Sequence, residues 1–262
     1  MRLLYEPDSD EVKLDGFTSG ALSTTLYGRL AVHWRDVDGY IDNLTMNRSE
    51  PKREERAVRG TLSWMPTEDL DVNLKLEAGT FDVTGVNIEI VEDRPAIFGP
   101  FTGLSYAQIL QLFSPDVIVA NNFQDYRRST NGDSTDNETD EYVLSLDYGG
   151  WGNLTLSSIT AYSAYEYGEH RDIDGHDANV FKLWFSEDYD QFSQELRLTS
   201  PSGGGFEWLA GLFYQVSDLA FFDTLLVNET SLLVPMIDAM TGSGAGVLIA
   251  NTGSPRTLDQ DT

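Results

Sequence analysis

Short and long connections alternate strictly along this chain, and that order narrows the possible folds more than any other property of the sequence. Segments with a two-residue period come in pairs: 11–19 with 26–36, 57–65 with 70–79, 141–148 with 154–165, and 189–200 with 206–217. Within a pair the link is short: Gly20 to Thr25, Pro66-Thr67-Glu68-Asp69, Gly149-Gly150-Trp151-Gly152-Asn153, and Pro201-Ser202-Gly203-Gly204-Gly205. These links carry the Gly, Pro, Asn and Asp chemistry of hairpin turns. Between pairs the links are long: 37–56, 80–140, 166–188, and 218 onward. All tight turns therefore fall at one end of a sheet and all large loops at the other.

The period itself says what the two faces meet. A repeat of two marks strands with chemically different sides. Leu26, Gly28, Leu30, Val32 and Trp34 alternate with Tyr27, Arg29, Ala31, His33 and Arg35. The run Leu70-Asp71-Val72-Asn73-Leu74-Lys75-Leu76-Glu77-Ala78 alternates without a fault. Tyr142, Leu144, Leu146 and Tyr148 do the same, as do Phe192, Leu196 and Leu198, interrupted by Gln194. Ile159, Leu209 and Phe213 fall on the polar side of their segments. A sandwich has no reason to sort its loops by length. An outer-membrane barrel does, with tight periplasmic turns, long extracellular loops, apolar residues toward lipid and polar residues toward the lumen. The expected fold is all-β, an antiparallel transmembrane β-barrel portion. Trp64, Trp151 and Trp208 beside short turns, and Trp34 and Tyr214 toward the far ends, match aromatic girdles at the two interfaces. No run approaches the length of a transmembrane helix, as expected when strands span the bilayer.

Composition excludes other classes. With 43 acidic and 17 basic residues the net charge is −26, which leaves no basic stripe for nucleic acid. The absence of cysteine removes disulfides, thiolate metal sites and cysteine nucleophiles. No phosphate-binding glycine loop, HExxH or GxSxG occurs, and carboxylates are too numerous for a pair to mark a glycosidase. No catalytic, cofactor-binding or metal-ligating residue is assigned, and no enzymatic activity is expected. His33 is read as a lumen histidine, and His170 and His176 as loop histidines. Asp172-Ile173-Asp174-Gly175-His176-Asp177 has the look of a calcium turn without the spacing or terminal Glu of an EF-hand, and is read as an acidic solvated loop. The polar stretch 131–141 is read as a loop crest. Ser105-Tyr106-Ala107-Gln108 is a capping box for a helix running to Phe113 before Pro115, and 234–240 suggests a second helix.

Several segments resemble the TonB-dependent receptors, outer-membrane active transporters of Gram-negative bacteria. Gly20-Ala21-Leu22-Ser23-Thr24-Thr25-Leu26-Tyr27-Gly28-Arg29-Leu30-Ala31-Val32, followed by Asp38-Gly39-Tyr40, is similar to an early barrel hairpin of that family. Val58-Arg59-Gly60-Thr61-Leu62-Ser63-Trp64-Met65-Pro66-Thr67-Glu68-Asp69-Leu70 resembles the next, and Ser157-Ser158-Ile159-Thr160-Ala161-Tyr162 a third. The most specific is Gln191-Phe192-Ser193-Gln194-Glu195-Leu196-Arg197-Leu198-Thr199-Ser200-Pro201, followed by Trp208-Leu209-Ala210-Gly211-Leu212-Phe213-Tyr214-Gln215. The resemblance implies a barrel of about 22 strands around an N-terminal plug, of which this chain is expected to hold about eight, with the plug and C-terminal strands absent. It implies location in the outer membrane and uptake of a scarce, bulky nutrient, iron–siderophore complexes being the commonest class. The implied partners are outer-membrane lipid, the TonB complex acting through the rest of the parent protein, and that small-molecule ligand. The alternatives from the residues are a self-contained eight-stranded barrel and a β-rich carbohydrate-binding module.

Overall fold

The structure, a computed structural model, describes residues 1–120, 125–178, 180–203, 205–227, 230–242, 244 and 256–261, the last segment by its backbone alone. The elements in chain order are β1 (Arg2–Glu6), β2 (Glu11–Ala21), β3 (Leu26–Val37), β4 (Ile41–Asn43), β5 (Arg48–Glu50), β6 (Lys52–Thr67), β7 (Leu70–Thr84), α1 (Tyr106–Phe113), β8 (Arg127–Arg128), β9 (Ser134–Trp151), β10 (Leu154–Asp172), β11 (Lys182–Thr199), β12 (Leu209–Leu226), α2 (Leu233–Thr241) and β13 (Arg256–Asp261). Ten strands form one sheet in the order β1-β2-β3-β6-β7-β9-β10-β11-β12-β13, every neighbouring pair antiparallel. The sheet is open, with β1 and β13 at its edges. No helix among the described residues is long and apolar enough to cross a membrane.

The four expected hairpins are present, and their turns are tight because of local chemistry. Between β9 and β10 the central residues Gly152 and Asn153 both have positive φ, 61° and 67°, the twist that a two-residue hairpin requires. Both are residue types that adopt that region at low cost. The expected helices are present too. Ser105 accepts the Gln108 amide while the Gln108 side chain accepts the Ser105 amide, and Asp93 accepts the amides of Tyr106 and Ala107 at 2.5 and 3.2 Å. All four of the amides left over at the helix start are thereby satisfied.

The strands are longer and more numerous than expected. β13 falls in the stretch from 218 onward that reads as a link in the sequence, and β1 precedes the first expected strand. The stretch 134–141, read as loop, is strand β9 paired with both β7 and β10. His170, read as a loop residue, lies in β10 opposite Trp184. These corrections share a cause: beyond the apolar segments the alternation continues, but with acidic instead of apolar residues, so a hydrophobic period does not detect it.

A second sheet, β5-β4-β8, joins α1 and the long connections at the far end from the tight turns. All buried apolar residues among those described belong to this cap: Ile41, Leu110, Val117, Ala120, Val180 and Val227. The ten-stranded sheet itself contributes none, so neither of its faces is covered by a second layer.

Candidate functional site

The register carries the two faces across the whole sheet. One row of Cα partners runs Leu30, Gly60, Leu76, Tyr142, Tyr162, Phe192, Val216 from β3 to β12. The next row toward the turns runs Gly28, Leu62, Leu74, Leu144, Thr160, Gln194, Tyr214. The row beyond adds Leu26, Trp64, Val72, Leu146, Leu196 and Leu212. These side chains share one face because residues two apart point the same way. They are open to their surroundings: Leu30 is 48% exposed, Leu144 43% and Leu76 42%. A contiguous apolar surface of this kind is far larger than the patches that water-facing proteins leave uncovered.

The one amide in this band is satisfied within it. Gln194 donates through Nε2 to Ser158 Oγ at 3.0 Å, and its Oε1 accepts the Thr160 hydroxyl at 2.6 Å. Ser158 and Thr160 lie on the neighbouring strand β10, so the polar interruption of β11 and those of β10 answer one another. An unpaired amide in an apolar medium costs several kcal/mol by order of magnitude, and pairing removes that cost.

The opposite face at the same level is ionic. Arg59 forms a two-pronged pair with Glu77, at 2.8 and 2.7 Å, and Lys75 reaches Glu141 at 2.7 Å. Arg35 joins Glu11 and Glu55 at 2.8 and 3.1 Å. His33, placed on this face by the sequence, contacts Asp15 at 2.7 Å and Glu55 at 3.4 Å. Every one of these pairs links different strands. The apolar exceptions Ile159 and Phe213 flank Glu195 on this face, as its Cα partners on the two neighbouring strands.

Above the band the faces exchange character on β7 to β12. Outward positions become Asp140, Asp190 and Asp218 in one row, and Glu138, Glu166 and Asp188 in the next. Inward positions become aromatic: Tyr165 stacks on Tyr189 at 5.2 Å, and Phe185 meets Tyr167 and Phe221 edge-on at 5.5 and 4.9 Å.

The cap closes over that aromatic end around buried charge. Glu50 is fully buried and is held by Arg48 at 2.8 Å, Asn43 at 3.1 Å and Arg128 at 3.5 Å. Gly39 and Gly85, at φ +85° and +87°, permit two connections to close on Glu50, because a Cβ at either would lie within about 2.5 Å of it. Arg128 also binds Asp133 at 2.6 Å, yet burial holds the Asp133 carboxyl above its ordinary range. The segment 172–177, expected to be a solvated loop, is instead partly interior. Asp172 and His176 are buried, and Asp174 accepts the amides of His176, Val180 and Phe181 at 3.3, 3.1 and 3.0 Å. Burial, then the nearby Asp172 charge, pushes Asp174 up to about 8. Burial pushes His176 down, and raises Tyr106, whose hydroxyl donates to the Asp174 carbonyl at 2.8 Å. Among the described residues no group of three or more His, Asp or Glu side chains is placed to hold a metal ion.

No protein-family model matches the chain, and no curated protein matches it.

Proposed function

We propose that this chain forms part of the wall of an outer-membrane barrel, in a receptor of the TonB-dependent type that takes up a scarce, bulky nutrient such as an iron–siderophore complex. One observation carries the membrane placement: a ten-stranded sheet with an apolar band bare on one side, an ion-paired surface on the other, and no second layer over either. In water a sheet must bury one face against another element. Hydrocarbon supplies that burial for the outer face, and a water-filled or plugged lumen suits the ionic one. On β3 the band runs from Leu26 to Trp34, about 26 Å along the strand at roughly 3.3 Å per residue, or about 20 Å of height at a tilt near 40°. That approaches the height of a bacterial outer-membrane apolar band. The receptor class rests on the sequence resemblance and on the folded extracellular cap, since ligand capture in such a protein falls to loops held above the barrel.

Spin labels at positions 30 and 29, in the complete barrel reconstituted in lipid, test the placement. Position 30 should respond to oxygen dissolved in hydrocarbon. Position 29, where Arg29 lies over the Phe17 ring at 4.4 Å on the inner face, should respond to a polar nickel reagent. Equal response of both labels to either reagent would overturn it. Uptake is tested separately, by siderophore-dependent growth of cells carrying or lacking the gene.

A further inference from the structure

We propose that the inner face of β2, β3 and β6 holds a binding site for a small carboxylate carried on an apolar body. The inference takes from the barrel placement only where the site opens, the lumen; its chemistry is that of the inner face itself. A hollow of about 430 Å³ lies over this part of the sheet. That is within the roughly 300 to 1,000 Å³ of ordinary small-molecule clefts.

The register builds the hollow around one small residue. Ala31 has Phe17 and Arg59 as its Cα partners on the two neighbouring strands, and Arg29 and His33 stand on either side of it along β3. Directly paired residues and residues two apart share a face, so all of these side chains point inward. Ala57, the partner of His33 on β6, extends the same floor. Two methyl groups thus lie among long side chains, and the difference in length is the hollow.

One cation in its wall has no carboxylate. The other inward cations of β2 to β7, Lys13, Arg35, Arg53, Arg59 and Lys75, each have one within 4.0 Å. Arg29 has no hydrogen bond or ion pair to any described residue; its guanidinium lies over the Phe17 ring at 4.4 Å. Stacking uses the face of a guanidinium and leaves its N–H edge for a ligand. Phe17 remains 62% exposed, so the chain buries neither group of this pair. The carboxylates lining the hollow are already committed, Glu77 to Nε and Nη2 of Arg59 and Asp15 to His33. Arg59 keeps Nη1, and Arg2, the partner of Asp15 on β1, sets a third guanidinium at the rim.

The ligand class follows from these groups. Arg59 precedes by two the residue paired with Arg29, Thr61, which makes the two arginines diagonal neighbours roughly 7 to 8 Å apart at their base. A carboxylate between them can accept from both, and its two oxygens match the fork of a guanidinium. Beside that point lie the Phe17 ring and the methyls of Ala31 and Ala57, which suit carbon. A bare inorganic anion would leave them facing water. An acid with an apolar ring or short chain meets both requirements.

The test is titration of the complete barrel in detergent micelles at low ionic strength, followed by saturation-transfer NMR. Benzoate should saturate with a dissociation constant on the order of millimolar, as a ligand of its size allows in an open site. Benzamide has the same shape without the charge, and inorganic phosphate, read by displacement of benzoate, has charge without the ring. Each should bind at least tenfold more weakly. Arg29→Gln should weaken benzoate at least fivefold, whereas Arg197→Gln, on the inner face of β11 outside the hollow, should leave it unchanged. Ala31→Leu, which fills the floor, should abolish binding, and Arg29→Gln covers the case in which it disturbs the strand. Equal affinity for benzoate and benzamide, or unchanged binding in Arg29→Gln or Ala31→Leu, would overturn the proposal. So would a failure of benzoate to saturate, the result expected if a protein segment already fills the hollow. None of these outcomes touches the barrel placement, which the spin labels read independently.

Discussion

Replacing Leu144 by Arg separates a lipid-facing surface from a water-facing one. Leu144 stands in the middle of the band, with Leu74 and Thr160 as its Cα partners on the two neighbouring strands. It is 43% exposed and nothing covers it. If that exposure is to water, an arginine there is an ordinary surface substitution, worth within about 0.5 kcal/mol. If it is to hydrocarbon, the cost is about 2 to 4 kcal/mol near the midplane. The rim at Tyr148 is about 13 Å away along the strand, which limits escape of the guanidinium to the headgroups. At roughly 1.4 kcal/mol per tenfold, the folding equilibrium should shift between about thirtyfold and several hundredfold. The assay is urea titration of the complete barrel folded in thin-bilayer vesicles, read by tryptophan fluorescence. Ser145→Arg is the matched control, since Ser145 lies on the ionic face between Asn73 and Ile159 and should lose no more than about 1 kcal/mol. A loss below 0.5 kcal/mol for Leu144→Arg, or equal losses for the two variants, would refute the lipid-facing assignment.

Further predictions concern the polar groups on either side of that boundary. A double-mutant cycle of Ser158→Ala and Gln194→Leu should give a coupling of about 0.5 to 1.5 kcal/mol in the same titration; zero coupling would mean that the amide is solvated rather than paired. Arg128→Met removes the cation from two buried carboxylates, Glu50 and Asp133, and should cost about 3 to 5 kcal/mol of cap stability. Hydrogen exchange should then rise in residues 38–50 and 127–133 while the strands below stay protected, and unchanged protection of the cap would contradict the ion network. The pH dependence follows from Asp174 and His176. Asp174 is raised from 3.8 to about 8, so its contribution is full below about pH 4 and falls away as pH rises to about 8. His176 is lowered from 6.5, so its contribution is full above pH 6.5 and lost as pH falls below it. Between pH 6.5 and 8 Asp174 alone of the two titrates, and exchange in the cap, corrected for intrinsic rates, should quicken across that interval. Asp174→Asn should flatten the dependence; an unaltered slope would assign it to another group.

The lower half of each hairpin was legible in the sequence because one physical rule governs it. Between Leu70 and Ala78 the outer positions are apolar and the inner ones polar or charged, so a period of two in hydrophobicity reports the strand directly. Above that level the rule changes while the backbone does not. In β9 the outward residues are Asp136, Glu138 and Asp140 and the inward ones Thr135, Asn137 and Thr139, and nothing apolar marks the alternation. The sequence therefore reads as loop where the chain is strand. The helix at 106–113 was legible for a local reason, the reciprocal Ser105–Gln108 cap. The cap as a whole was not, because its contacts join residues far apart in sequence: Asn43 with Thr130, Tyr106 with Asp174, Ile118 with Asp177. The partly buried segment 172–177 looked like a solvated acidic turn, since charge normally implies exposure, and only its surroundings reveal the backbone amides that hold Asp174 inside.

The edges of the sheet place a further demand on the membrane reading. β1 pairs β2 only along Glu11 to Asp15, and β13 pairs β12 only along Asp218 to Asp223. Both contacts lie above the apolar band. At the level of the band, residues 16–21 of β2 and 209–217 of β12 have no outer neighbour among the described residues. Leu212, in that bare stretch, is 75% exposed, against about 40% for Leu196 beside it on β11. Backbone amides and carbonyls left unpaired in hydrocarbon cost several kcal/mol each by order of magnitude, whereas in water they cost little. A bilayer therefore tolerates this sheet only when more strands complete both edges, and the apolar band and the bare edges at its level make one combined requirement. A partner supplying strands must pair along the lower halves of β2 and β12 and must continue the apolar face there. A partner that paired with β1 and β13 alone would leave the costly groups untouched.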